Sequence, residues 1–145
     1  MHKYFPGLYV KFQKSLDKII FKNNNISLGE NFIKELLINN NIKFEMQKVF
    51  DDLRVILPLR YDFYLPEYNL IIEHHGEGHF GKGRYYTKEL IDNDKLKYKY
   101  ALDNNINILY YTIYKNDYKT LGYFTNVITD PEVLISEIKK ISPTN

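Results

Sequence analysis

The chain has no cysteine, which excludes disulfides and thiolate zinc sites and leaves oxygen and imidazole as its metal ligands. It has no apolar run near the roughly 18 residues that read as a membrane-spanning helix. The opening MHKYFPGLYVKFQKS carries no signal-peptide pattern, so the expectation is a cytoplasmic protein that neither enters a membrane nor is secreted. An excess of one charge is also missing. With 20 Lys+Arg against 18 Asp+Glu the formal net charge is +2, and that total says nothing about nucleic acid. The distribution says more, because Lys82, Arg84, Lys88, Lys95, Lys97 and Lys99 crowd one region. A local basic surface lets a nearly neutral domain hold phosphates, although such a run also suits a solvated helix face.

What is present is enough for one compact domain. The 145 residues, 44% hydrophobic and 26% charged, fit a single domain over 1–145 with its own core. Leu8, Val10, Phe12, Leu16, Ile19 and Ile20 predict a first helix over 8–21, within an N-terminal helical extension over 1–25. Ser27 and Glu30 have the spacing of a capping box ahead of a stripe of Phe32, Ile33, Leu36 and Leu37, a second helix that ends in the Asn run.

From Ile42 the period changes to two, and 42–50, 60–65 and 70–75 read as strands. Pro66, which cannot donate to a ladder, marks the turn between the last two. GEGHFGKG reads as a loop. Leu90, Ile91, Asp94, Tyr98, Ala101 and Leu102 share one helical face, with Thr87 available as the cap. INILYYTIY, 106–114, is apolar enough to be a central strand. A C-terminal helix over 129–142 has acids and Pro131 at its start and lysines near its end. This order predicts an α/β fold, a central mixed β-sheet flanked by helices. The helical crossover makes the third and fourth strands parallel.

The chemistry concentrates in DFYLPEYNLIIEHHGEGHF, 62–80. A four-residue connection over 66–69 pairs Leu65 with Leu70 and therefore Asp62 with Glu73, and a two-residue loop would shift the pairing by two. Either register sets the two carboxylates side by side on one face. Facing like charges cost roughly 0.2–1 kcal/mol when exposed and more when partly buried, so a compensating charge is expected. A hard divalent cation supplies it naturally. His75 lies two residues beyond Glu73 on the same face, and Glu77 and His79 sit on a glycine-rich loop that can fold back. The plainer alternative is a pair of acids facing solvent beside Arg60, but NLIIE is too apolar for a casual exposed edge. Asp94, on an apolar stripe, needs a partner, and Lys97 or His79 would serve.

Asp62 in YDFYLPEYNLIIE, Glu73-x-x-Gly76-x-x-His79, Asp94-x-x-Lys97 on a helix and the strand INILYYTIY together resemble the PD-(D/E)XK, restriction-endonuclease-like, nuclease superfamily. Within it the pattern is similar to the small very-short-patch-repair-like endonucleases and their phage-encoded relatives. The resemblance covers roughly 27–115. It implies a restriction-endonuclease-like core and a metal-dependent endodeoxyribonuclease, with Mg²⁺ or Mn²⁺ held by Asp62 and Glu73 and helped through water by Glu30. An in-line attack by metal-activated water would cut the phosphodiester. His75 and His79 would assist proton transfer or phosphate positioning, and Lys82, Arg84, Lys95 and Lys97 would lie along the path of the DNA backbone. RNA stays open beside DNA, and a homodimer fits relatives that cut both strands, though no interface patch is legible. The Asn, Lys, Ile and Tyr richness suggests an A+T-rich genome, in keeping with a bacterial cell or a phage-infected host.

The sequence departs from the family pattern at His75, where the second acid is usually followed by x-Lys or x-acid. An imidazole there can ligate a softer metal such as Mn²⁺, orient the attacking water or protonate the leaving oxygen. Lys97 would then be the lysine moved to the helix. The rival reading from a different class is a nuclease fold that has lost catalysis and binds nucleic acid or a protein partner. His75 supports it, and the retained Asp62 and Glu73 oppose it. A ββα-metal nuclease fits poorly with the apolar strand before Glu73. A zinc site built from His74, His75 and His79 is disfavoured because adjacent strand residues point to opposite faces.

Overall fold

The structure, a computed structural model, describes residues 26–76, 87–114 and 127–143. The expected helix over 8–21 and most of the glycine-rich loop lie outside these residues. The elements are α1 (Leu28–Asn39), β1 (Glu45–Arg54), β2 (Pro58–Leu65), a 3-10 turn (Pro66–Tyr68), β3 (Leu70–His74), α2 (Lys88–Asp103), β4 (Asn107–Tyr111), β5 (Val127–Ile128) and α3 (Pro131–Lys140).

Each helix starts where a side chain satisfies an orphan backbone donor. Ser27 Oγ accepts from the N–H of Glu30 at 3.2 Å, Thr87 Oγ1 from that of Leu90 at 3.0 Å, and Asp130 Oδ1 from that of Glu132 at 2.8 Å. α1 stops at Asn40, and Asn41 takes a left-handed φ of 56°. The N–H of Ile42 bonds back to Leu37 at 3.0 Å, so Ile42 closes the helix and β1 begins three residues later than the alternation of Ile42, Phe44 and Met46 predicts.

The five strands lie in the order β1-β2-β3-β4-β5 in one mixed sheet. β1, β2 and β3 run antiparallel, while β3–β4 and β4–β5 are parallel, as the crossover through α2 requires. Leu65 pairs with Leu70 across the Pro66 turn, the register expected of the four-residue connection. β5 was not legible, because two residues are too short to display a period.

Helices cover both faces of the sheet. On one face α1 and α3 bring Ile33, Leu37, Leu134 and Ile138 against Phe63, Leu65, Leu70 and Ile72. On the other, Ala101 of α2 packs with Tyr61, Ile71 and Leu53. β3 is buried on both sides, which is why it reads as a continuous apolar run. The buried stripe of α2 is narrower than expected: Ile91, Asp94 and Ala101 are buried, whereas Leu102 is 54% exposed.

One irregularity bears on the site. Met46 and Phe63 join the cluster under α1, yet Phe50 and Tyr61 join the one under α2. The side-chain alternation of β1 and β2 therefore slips between the pairs Met46↔Phe63 and Lys48↔Tyr61, where Gln47 adopts a φ of 53° across from Asp62.

Candidate functional site

The site forms where β2 and β3 part. Their backbone pairing runs from Leu65↔Leu70 to Phe63↔Ile72, and beyond it carboxylates continue the ladder. Glu73 Oε1 accepts from the N–H of Asp62 at 2.7 Å, and Asp62 Oδ2 accepts from the N–H of His74 at 2.8 Å. The two acids are adjacent as expected, but each engages the other strand's backbone. This arrangement differs from a simple pair of side chains facing a common ion.

The compensating charge within the chain comes from α2. Lys97 Nζ stands 2.6 Å from Glu73 Oε2, with side-chain exposures of 13% and 3%. The backbone carbonyl of Lys97 accepts from Tyr61 O–H at 2.7 Å, and its ammonium lies 5.4 Å from the centre of the Tyr61 ring. The largely buried Lys97, expected both as a catalytic lysine and along the path of the DNA backbone, is directed at Glu73.

Glu73, His75 and Asp94 are all buried, and each offers one ligand atom within 4.8 Å of the others. Sheet geometry brings this about: Glu73 and His75 are two residues apart along one strand, and Asp94 reaches them from α2 one turn before Lys97. The His75 N–H extends the parallel ladder by donating to Tyr111 at 2.9 Å, and its ring lies 4.5 Å from that of Tyr110. Asp62 is not part of this trio.

The electrostatics follow from burial and charge. Loss of solvent, reinforced by Glu73 and Glu30, holds the Asp62 carboxyl well above the usual range, against the pull of Lys97 and the His74 N–H. Burial favours the neutral form of Lys97, but Glu73 and Asp62, with the hydrogen bond to Glu73 and nearby Asp94, outweigh it and raise its pKa. Lys97 is therefore a fixed cation at neutral pH. The Tyr61 and Tyr110 hydroxyls are pushed upward by burial and next by the charge on Glu73, so both stay protonated.

Glu30 lies at the start of α1, where its carboxylate accepts from Gln47 Nε2 at 3.3 Å and its charge reaches Asp62. Gly29 beside it allows close approach: a Cβ there would overlap the His74 imidazole. His74 therefore packs toward α1 while His75 belongs to the group with Asp94 of α2, in keeping with the argument against a shared zinc ion. Lys95 is exposed on α2. His79, Lys82 and Arg84 lie outside the described residues.

Sequence reasoning missed Asp94 as a member of a ligand group, although its place on an apolar stripe was the available signal. Tyr61 and Tyr110 were missed as well, since nothing local distinguishes a core tyrosine from one beside a carboxylate. No family model, curated protein or solved structure matches the chain. Among the described residues no helix is long and apolar enough to cross a membrane.

Proposed function

We propose that this protein is a divalent-metal-dependent nuclease that hydrolyses phosphodiester bonds in DNA, with Glu73, His75, Asp94, Asp62 and Lys97 as its working residues. The observation that carries this reading is the convergence of two buried carboxylates and a buried imidazole within 4.8 Å, beside a further acid, Asp62, whose pKa is held above the usual carboxylate range by burial and by Glu73 and Glu30. Three acids, Asp62, Glu73 and Asp94, stand close to one ammonium, Lys97, and the surplus of negative charge suits a divalent cation. Two carboxylates and an imidazole favour Mn²⁺ or a similar first-row ion over Mg²⁺. A bound ion would supply Lewis acidity to the phosphate and make water a better nucleophile at neutral pH.

The remaining chemistry belongs to the chain. Asp62, whose affinity for a proton is raised by burial, Glu73 and Glu30, is suited to take one from the attacking water. Lys97 keeps its charge and can offset the negative charge that develops on the phosphoryl oxygens. Tyr110 holds the ring of His75, and Tyr61 holds the Lys97 backbone. These two tyrosines orient the groups that act.

A second reading has its own observation. Both oxygens of Glu73 already have partners, the Asp62 N–H and Lys97, as they would in a nuclease-fold module that binds nucleic acid or a protein without cutting. Incubation with supercoiled plasmid, single-stranded DNA and RNA, in EDTA, Mg²⁺ or Mn²⁺, separates the two. Metal-dependent cutting that disappears in a folded Glu73→Ala variant supports the nuclease. Cutting that survives in that variant, or binding without any metal-dependent cutting, overturns it.

A further inference from the structure

The hairpin joining β1 to β2 has a tip that runs against ordinary turn chemistry. Arg54 pairs with Pro58, so the loop is Val55, Ile56 and Leu57, where Gly, Asn, Asp or Ser would be usual. Their exposures are 59%, 88% and 75%. Three consecutive aliphatic residues in water are a liability unless something covers them.

The tip is held firmly. β1 carries extra residues between Val49 and Arg54, and Phe50 and Leu53 of this stretch pack in the core beneath α2. Asp52 accepts from the Tyr100 hydroxyl at 2.6 Å, and Arg54 Nε donates to the Asp51 carbonyl at 3.1 Å. An apolar tip on a braced arm loses little conformational freedom on binding.

Its position indicates the partner. Because β2 runs antiparallel to β3, the start of β2 lies at the same end of the sheet as Glu73. Leu57 precedes Asp62 by five strand residues, about 16 Å, or some five base steps of a duplex. Tyr61, between tip and site, bonds to the backbone of Lys97, so the arm and the site are joined. Exposed Arg54 and Arg60 flank the tip, and Arg60 makes no ion pair among the described residues.

We infer that Val55, Ile56 and Leu57 form an apolar wedge that enters the stacked bases of a nucleic acid, with Arg54 and Arg60 on the flanking phosphates. Proteins that kink a duplex use aliphatic side chains in this way. The inference rests on the nuclease reading for the nature of the partner, but its test is independent of cutting.

A duplex carrying 2-aminopurine, fluorescently labelled at one end, is titrated in EDTA with the wild-type chain, with an Ile56→Ser, Leu57→Ser variant and with Ile56→Leu. Plasmid cutting in Mn²⁺ and sedimentation are measured on the same samples. The wild type should bind and raise 2-aminopurine fluorescence. The double variant should lose on the order of tenfold in affinity and the fluorescence rise, while Ile56→Leu keeps both. Unchanged binding and fluorescence in the double variant overturns the wedge and leaves nuclease activity standing if the plasmid is still cut. A wild-type dimer that the double variant dissolves, with DNA binding unchanged, overturns the wedge in favour of a second copy of this chain. A wild type that neither binds nor cuts removes the wedge and the nuclease reading together.

Discussion

The Lys97 ammonium and the Glu73 carboxylate meet at 2.6 Å, and the other Glu73 oxygen accepts from Asp62 at 2.7 Å. Glu73 is also one of the three buried groups that converge within 4.8 Å. An ion entering that group has to share Glu73 with Lys97 or displace it. Lys97 then acts as the internal counter-ion of the metal-free protein.

Lys97→Met should therefore destabilise the metal-free chain by about 3 kcal/mol, the cost of leaving a buried charge without its partner. Urea unfolding in EDTA measures this, and Mn²⁺ should restore more stability to the variant than it adds to the wild type. Equal stabilities in EDTA would mean that the ion pair is not what holds Glu73 in place.

Metal affinity should follow the trio more than the Asp62–Glu73 pair. His75→Ala and Asp94→Asn should each weaken Mn²⁺ binding by roughly tenfold or more, and Asp62→Asn should weaken it less, as read by calorimetry. If Asp62→Asn abolishes binding and Asp94→Asn leaves it unchanged, the ion lies between the β2 and β3 acids, as the sequence resemblance implies.

The raised carboxyl of Asp62 fixes the sign of a pH effect. Its folded pKa exceeds the unfolded one, so the folded state binds the extra proton. Asp62's contribution to stability is full below the ordinary aspartate range and is lost as pH rises through the folded value. Asp62→Asn retains an acceptor for the His74 N–H and removes this loss. In EDTA the variant should be more stable than wild type at neutral pH, and the difference should shrink toward pH 4. Thermal melts across that range would contradict the assignment if the variant were instead less stable at pH 7.

The legible parts of the fold were those with local causes. Ser27, Thr87 and Pro131 marked helix starts, and a four-residue turn sufficed to set Leu65 opposite Leu70. The adjacency of Asp62 and Glu73 followed from that register alone. What was not legible depends on the tertiary arrangement. The slip at Gln47 turns Tyr61 toward α2 by a left-handed residue that no motif announces. The approach of Asp94 to His75 depends on how α2 lies across the sheet. Lys97 was legible as a partner for the acid Asp94 three residues away on its own helix, but its contact with Glu73 depends on how α2 lies against β3, which spacing along a helix does not reveal.

Gly29 tests the other side of the site. On helix propensity alone, Gly29→Ala should gain up to about 1 kcal/mol. The new Cβ would instead overlap the His74 imidazole, and overfilling a packed site typically costs about 1–3 kcal/mol. The expected result is a lower melting temperature together with weaker cutting, because the His74 N–H holds Asp62 Oδ2 and Glu30 adjoins Gly29 in the first turn. The Gly29→Ala, His74→Ala double variant removes the obstructing ring and should recover much of the stability, giving a favourable coupling in a double-mutant cycle. A Gly29→Ala chain that melts higher than wild type would mean that α1 can move off β3 at little cost, and the close approach would then be irrelevant to how Glu30 and Asp62 are held.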